Sequence, residues 1–127
     1  KFLGYVDRID STDQGIRLID YKTGIVLQKD LNIFDFDQLT KKHKALQLFF
    51  YALLWNNANN KTENLKCQII SLKNTYQPKL NLTFKKNENI NNEIVSNYSN
   101  WLIKFVEEIK NTESFKHKMD SSYCEIC

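Results

Sequence analysis

Gly4-Tyr5-Val6-Asp7-Arg8-Ile9-Asp10 is followed, across Ser11-Thr12-Asp13-Gln14-Gly15, by Ile16-Arg17-Leu18-Ile19-Asp20-Tyr21-Lys22-Thr23-Gly24. The outer runs alternate and are rich in β-branched and aromatic residues, while the segment between them is built of turn formers. The pattern predicts strands over residues 2–10 and 16–22, joined as a β-hairpin and ended by Thr23-Gly24. Side chains alternate faces along a strand, so Asp20 and Lys22 share one surface and Tyr21 points the other way.

The turn sets the register. With a loop over Thr12–Gly15, Ser11 pairs with Ile16, and Asp7 then falls opposite Asp20. Paired Cβ atoms in such a ladder stand about 4.5–5.5 Å apart. The same register sets Asp10 against Arg17 on the other face, an expected salt bridge. Two carboxylates this close repel unless something neutralises them, and a divalent cation with a taste for oxygen, Mg²⁺ or Mn²⁺, does so. A lysine beside them is suited to orient a water and stabilise charge developing on a phosphate. Spacing alone is more often met by a solvated ion cluster on a hairpin surface.

Outward from the hairpin, residues 25–38 lack clean periodicity and read as a connecting loop with some extended structure. A helix is expected from Thr40 (its N-cap) to Asn57, with Ala45, Leu46, Phe49, Phe50, Leu53 and Leu54 as its apolar stripe. A polar loop over residues 56–64 leads to a strand at 65–72 and a turn at 74–78. Strict alternation predicts another strand at 79–84. A second helix at 91–110 buries Ile94, Val95, Tyr98, Trp101, Leu102, Phe105, Val106 and Ile109. The tail, 111–127, reads as irregular. The order is β-β-α-β-β-α, an α/β fold with a small mixed sheet flanked by helices.

The 127 residues suit one domain, 1–127, with ordinary hydrophobic (42%) and charged (26%) shares. The aromatic share of 13% argues against low-complexity disorder. A net charge of +3 is compatible with a polyanionic partner without being diagnostic. No run approaches the roughly 20 apolar residues of a membrane span, and no signal peptide is visible. Three cysteines, an odd number, argue against a secreted disulfide framework and for a reducing bacterial cytoplasm. Starting in an apolar run and stopping at Cys127, the chain is expected to be a fragment of a larger polypeptide, with an N-terminal helical part and a C-terminal end missing.

The hairpin motifs, taken with Gln47-Leu48-Phe49-Phe50-Tyr51, resemble the nuclease domain of RecB and AddB proteins, within the PD-(D/E)XK superfamily. That family reads G-x-[IV]-D-R-[IV]-D, then D-Y-K-[TS]-G, then Q-x-x-x-Y, and all three stand here in order over residues 4–51. Each motif alone is weak, and their ordered conjunction is specific. The resemblance implies a restriction-endonuclease-like core and a metal-dependent DNA exonuclease module of a recombination or repair protein, with a helicase or recombination subunit as partner. Asp7 and Asp20 would be Mg²⁺ or Mn²⁺ ligands, joined by the Tyr21 carbonyl, and Lys22 the catalytic lysine. Gln47 and Tyr51 share a helix face and would either touch DNA or support the hairpin. Arg8 and Asp10 read as structural ion partners, with a smaller claim for Arg8 on phosphate. The alternative is a catalytically silent DNA-binding or scaffolding domain, and a weaker one is a relative acting on RNA or junctions.

The sequence departs from the family in one respect. Many relatives carry a His or Glu ligand on a helix before the first strand, and nothing precedes Lys1. His43 reads as a helix-face residue rather than a substitute, and His117 as solvated. Cys124-Glu125-Ile126-Cys127 matches part of the 4Fe-4S ligand set of AddB-like members. Such a cluster needs four cysteines, so it is expected only in the parent protein. Cys67 reads as a buried hydrophobe.

Overall fold

The computed structural model describes residues 3–60 and 64–115. Strand β1 (Arg8–Thr12) and strand β2 (Gly15–Lys22) form the hairpin. Its register is Ser11 to Ile16 and Asp10 to Arg17, as the turn predicts. Gly15 is fixed by its backbone. Its φ is +120°, and a Cβ there would stand 2.1 Å from the Asn64 carbonyl oxygen, which accepts the Ile16 N–H.

The expected strand over 2–10 begins only at Arg8. Residues 3–6 leave the ladder and cross helix α1 (His43–Asn59) instead, where a Cβ on Gly4 would stand 2.9 Å from Leu54. Two short 3-10 turns and strand β3 (Asn32–Ile33) fill the connection to α1. The second of those turns, Phe36–Thr40, consumes the residue expected to cap the helix. Asp35 caps that turn by accepting the Asp37 N–H, and α1 starts after Lys42 without a side-chain cap. The helix runs on to Asn59 and closes on Asn60 in the left-handed conformation.

Strand β4 (Leu65–Ser71) pairs parallel with β2, and β5 (Lys79–Asn81) pairs antiparallel with β4. The four-stranded mixed sheet has the order β1-β2-β4-β5. The expected single strand at 79–84 is divided. Leu82 donates its N–H to Cys67, and β6 (Thr83–Phe84) then pairs with β3 in a second sheet. The alternation survives the break because Leu80 and Leu82 both point into the core. Helix α2 (Asn92–Asn111) is capped by the Asn91 side chain and packs on α1.

The core lies between the sheet and α1. Leu18, Leu65, Cys67 and Ile69 come from the strands, and Ala45, Leu48, Phe49 and Ala52 from the helix. The buried stripe of α1 therefore centres on Leu48, and Leu46, Phe50 and Leu53 flank it half-buried. The helix is apolar on most sides because α2 covers a second face of it. On α2 the burial fades with distance: Val95 and Tyr98 are enclosed, Trp101 and Leu102 half-covered, Ile109 exposed. Phe36, Phe49, Tyr98 and Trp101 form an aromatic cluster along that seam.

Candidate active site

Asp7 sits at the point where the chain leaves the sheet. A continuing β1 would have offered the Val6 carbonyl to the Tyr21 N–H. Asp7 Oδ2 accepts that N–H instead, at 2.9 Å. The carboxylate is thereby pinned to the backbone next to Asp20, close to the position that register reasoning gives it.

Asp20 is 3% exposed, deep in β2 and opposite Ile69 of β4. Its Oδ2 lies 2.9 Å from Lys22 Nζ, outside hydrogen-bonding geometry, and this oxygen is buried with no hydrogen-bond partner. Lys22, two residues on and half-buried, donates to Gln47 Oε1 at 2.8 Å. Gln47 Nε2 in turn donates to the Tyr51 hydroxyl at 2.7 Å. Asp20, Lys22, Gln47 and Tyr51 form one continuous polar line from strand to helix. It exists because β2 alternation aims Asp20 and Lys22 at α1, while the four-residue helical interval stacks Gln47 under Tyr51.

Electrostatics place Asp7 in the same group. Burial is the main reason the Tyr51 phenol is held above its ordinary range, and the charges of Asp20 and then Asp7 push it the same way. Both carboxylates thus act on one hydroxyl, which stays a neutral hydrogen-bonding group at physiological pH. A buried carboxylate oxygen with an ion-pair partner but no hydrogen bond is incompletely compensated in a protein interior. Two carboxylates with one such oxygen, beside a lysine, make an oxygen-donor set that fits Mg²⁺ or Mn²⁺. Among the described residues no group of three or more His, Cys, Asp or Glu side chains is placed to hold a metal.

Other expected residues fall elsewhere. Asp10 pairs with Arg8 at 2.7 Å, not with Arg17. The register is as expected, but Arg8 stands two residues away on the same face of the same strand, and its planar fork reaches Asp10 first. Arg8 also donates to the Tyr21 hydroxyl at 3.3 Å, and this bond, then Asp10, raises its pKa. Arg8 therefore ties the hairpin's outer face together. His43 begins α1 one turn before Gln47, with Nε2 3.1 Å from the Thr40 carbonyl oxygen. Cys67 is fully buried and its thiol is pushed up to about 12 by burial. His117, Cys124 and Cys127 lie outside the described residues.

One supporting device escaped sequence reasoning. The Ser71 hydroxyl donates to the Gly24 carbonyl at 2.7 Å, and the Leu72 N–H donates to Lys22 O at 2.9 Å. Asn74 accepts from the Val26 N–H and donates to the Val26 carbonyl through its side-chain amide. Together they clamp the exit from β2, directly after Lys22. The only signal in the sequence is turn chemistry at 74–78, which does not reveal its distant partner.

No helix among the described residues is long and apolar enough to cross a membrane. No curated protein and no solved structure matches the chain. The model of the PD-(D/E)XK nuclease superfamily matches residues 1–127. Members of that superfamily generally hydrolyse phosphodiester bonds, typically with Mg²⁺ or Mn²⁺, and DNA is the substrate that membership implies. The mixed sheet with two helices agrees with their restriction-endonuclease-like fold, and with the family model spanning the whole sequence, the chain belongs to the PD-(D/E)XK nuclease superfamily.

Proposed function

We propose that the protein is a metal-dependent deoxyribonuclease module of the RecB and AddB type, acting as an exonuclease in DNA recombination or repair, with Asp7, Asp20 and Lys22 at its active site. The observation that carries this reading is the buried Asp20 carboxylate, ion-paired at 2.9 Å with Lys22 and set next to Asp7, with one oxygen that makes no hydrogen bond.

In this reading Asp7, Asp20 and the Tyr21 carbonyl hold Mg²⁺ or Mn²⁺. When bound, the cation supplies Lewis-acid polarisation of the phosphate and a more acidic water. The chain's residues do the rest. Gln47 holds the Lys22 ammonium at 2.8 Å, so it is presented in one position rather than swinging on a flexible stem. From there Lys22 orients the attacking water and stabilises negative charge growing on the phosphate. Tyr51 fixes the Gln47 amide, so Gln47 and Tyr51 are positioning residues. Arg8 acts through the hairpin's outer face, with phosphate contact a lesser role.

The test is degradation of linear DNA in the presence of Mg²⁺ or Mn²⁺, comparing the wild-type chain with Lys22→Ala. The expectation is loss of cleavage in the variant and in EDTA. Unchanged cleavage by Lys22→Ala would remove the catalytic assignment. DNA binding with no cleavage by the intact parent protein would point to a silent scaffold instead. In the parent, iron analysis and the visible spectrum would test a 4Fe-4S cluster on Cys124 and Cys127.

A further inference from the structure

The two parallel strands of the sheet, β2 and β4, end side by side at Lys22 and Ser71. Open α/β sheets take their ligands in the crevice beyond the carboxyl ends of such strands. The loops that leave these ends, residues 23–27 and 72–78, are locked together. Leu72 donates its N–H to the Lys22 carbonyl, the Ser71 hydroxyl donates to the Gly24 carbonyl, and the Asn74 amide bonds both backbone groups of Val26. Between the loops lies an open hollow of about 340 Å³, whose lining includes Ile25, Leu27, Lys73, Thr75, Tyr76 and Gln77. The clamp makes this a preformed surface rather than two independent loops.

Ile25, Leu27 and Tyr76 are apolar and open to solvent, and the Tyr76 ring is fully exposed and stacked on no other ring among the described residues. Lys73 makes no ion pair among the described residues, and no carboxylate lines the hollow. The Thr75 hydroxyl and the Gln77 amide are uncommitted to other described residues. A free ring, two small polar groups and a cation match a nucleotide, with its flat face, polar edge and phosphate. Ile25 follows Lys22 by three residues, which a chain spans in at most about 11 Å. The nucleotides flanking a phosphate held at the proposed active site therefore come within reach of the hollow. In a duplex the base faces are covered by their neighbours, whereas an unpaired strand can turn one outward. We propose that the hollow between the two loops is a base-binding subsite for single-stranded DNA, with a base stacked on Tyr76 and an adjoining phosphate at Lys73. This deepens, and rests on, the nuclease reading above. It makes an unpaired strand the preferred substrate.

The test measures binding apart from cleavage. Fluorescein-labelled oligothymidylate of about ten nucleotides, an abasic strand of equal length and a blunt duplex are titrated by anisotropy against the protein in EDTA. The base-bearing strand should bind at least about fivefold tighter than the abasic one, the low end of a base–aromatic stack. Tyr76→Ala should remove that difference and leave the abasic and duplex affinities unchanged. Tyr76→Phe, which keeps the ring, should retain it. Lys73→Glu should weaken both strands alike. Tyr76 and Lys73 are both exposed, so these variants leave the core intact, and circular dichroism checks their folding.

Equal affinity for the base-bearing and abasic strands would overturn the proposal, as would a folded Tyr76→Ala protein that still discriminates. Unchanged binding by Lys73→Glu would overturn the phosphate contact. Concentration-dependent dimerisation abolished by Tyr76→Ala, with oligonucleotide binding untouched, would reassign the hollow to a second copy. Failure here is separable from failure of the nuclease reading. Cleavage without base discrimination sinks only this subsite; discrimination without cleavage by the wild type sinks only the nuclease reading.

Discussion

The β1–β2 hairpin and helix α1 are joined by the Lys22–Gln47 hydrogen bond and differ in most other respects. Strand β1 is mostly exposed, and its outer face is held by Arg8 with Asp10 and Tyr21. Helix α1 is enclosed by the sheet and by α2, and Leu48, Phe49 and Ala52 are fully buried. The hairpin carries the charged groups, and the helix carries the packing. The buried Asp20–Lys22 ion pair is thus carried on the thinner element and steadied by the thicker one. The separation implies that activity and stability respond to different residues.

Phe49→Ala gives the largest expected effect. Phe49 packs on Phe36, Phe84 and Tyr98, and its truncation should cost about 3–5 kcal/mol in urea unfolding. Cleavage at a temperature where the variant remains folded should be little changed. A variant that keeps its stability would break the assignment of packing to α1.

Asp20→Asn tests the opposite side. Cleavage should fall by about 10²–10³-fold, the scale of losing one charge-stabilising group. The change also takes the ion-pair partner from Lys22, so the metal-free free energy of unfolding should fall by about 1–3 kcal/mol. A large stability loss with cleavage intact would make the pair structural.

Tyr51→Phe sits at the junction. It removes the acceptor of the Gln47 amide, at a cost of about 1–3 kcal/mol for a donor left unmet. Cleavage should drop less than in Asp20→Asn. Since the Tyr51 phenol is held above its ordinary range, the variant should keep any fall in rate seen below pH about 10.

The smallest effect concerns Cys67 in the core. Burial raises its thiol from 9.0 to about 12, so the unfolded chain loses the proton first. That contribution to stability is fully present below about pH 9 and declines as pH rises towards 12. In Cys67→Ala, the alkaline fall of unfolding free energy with pH should be shallower. An unchanged slope would show that the thiol does not titrate in that window.

Legibility in the sequence divides along the same line. The hairpin register follows from turn chemistry and a two-residue period, both local, and Ser11 does pair with Ile16. The aim of Asp20 and Lys22 at one face, and the stacking of Gln47 under Tyr51, follow from periodicity as well. The centre of the α1 stripe was not legible. Leu46, Leu48, Phe49, Phe50 and Leu53 leave several faces equally apolar, and only the positions of the sheet and α2 select Leu48. Nor was the Asp10 partner, because Arg8 and Arg17 are both admissible by register and the choice depends on side-chain reach.

The sequence by itself determined the hairpin, the two helices, the inward alternation of Leu80 and Leu82, and the group Asp7, Asp20 and Lys22, since each is written in residues a few positions apart. Tertiary structure decided the rest. It ended β1 at Arg8 so that Asp7 could take the Tyr21 N–H, and it passed residues 83–84 to a second sheet. It buried Asp20 Oδ2 against Lys22 without a hydrogen bond, and it set Ser71 and Asn74 against the exit of β2. These outcomes join residues far apart in sequence or rest on the fit of packed surfaces, and no local period encodes either.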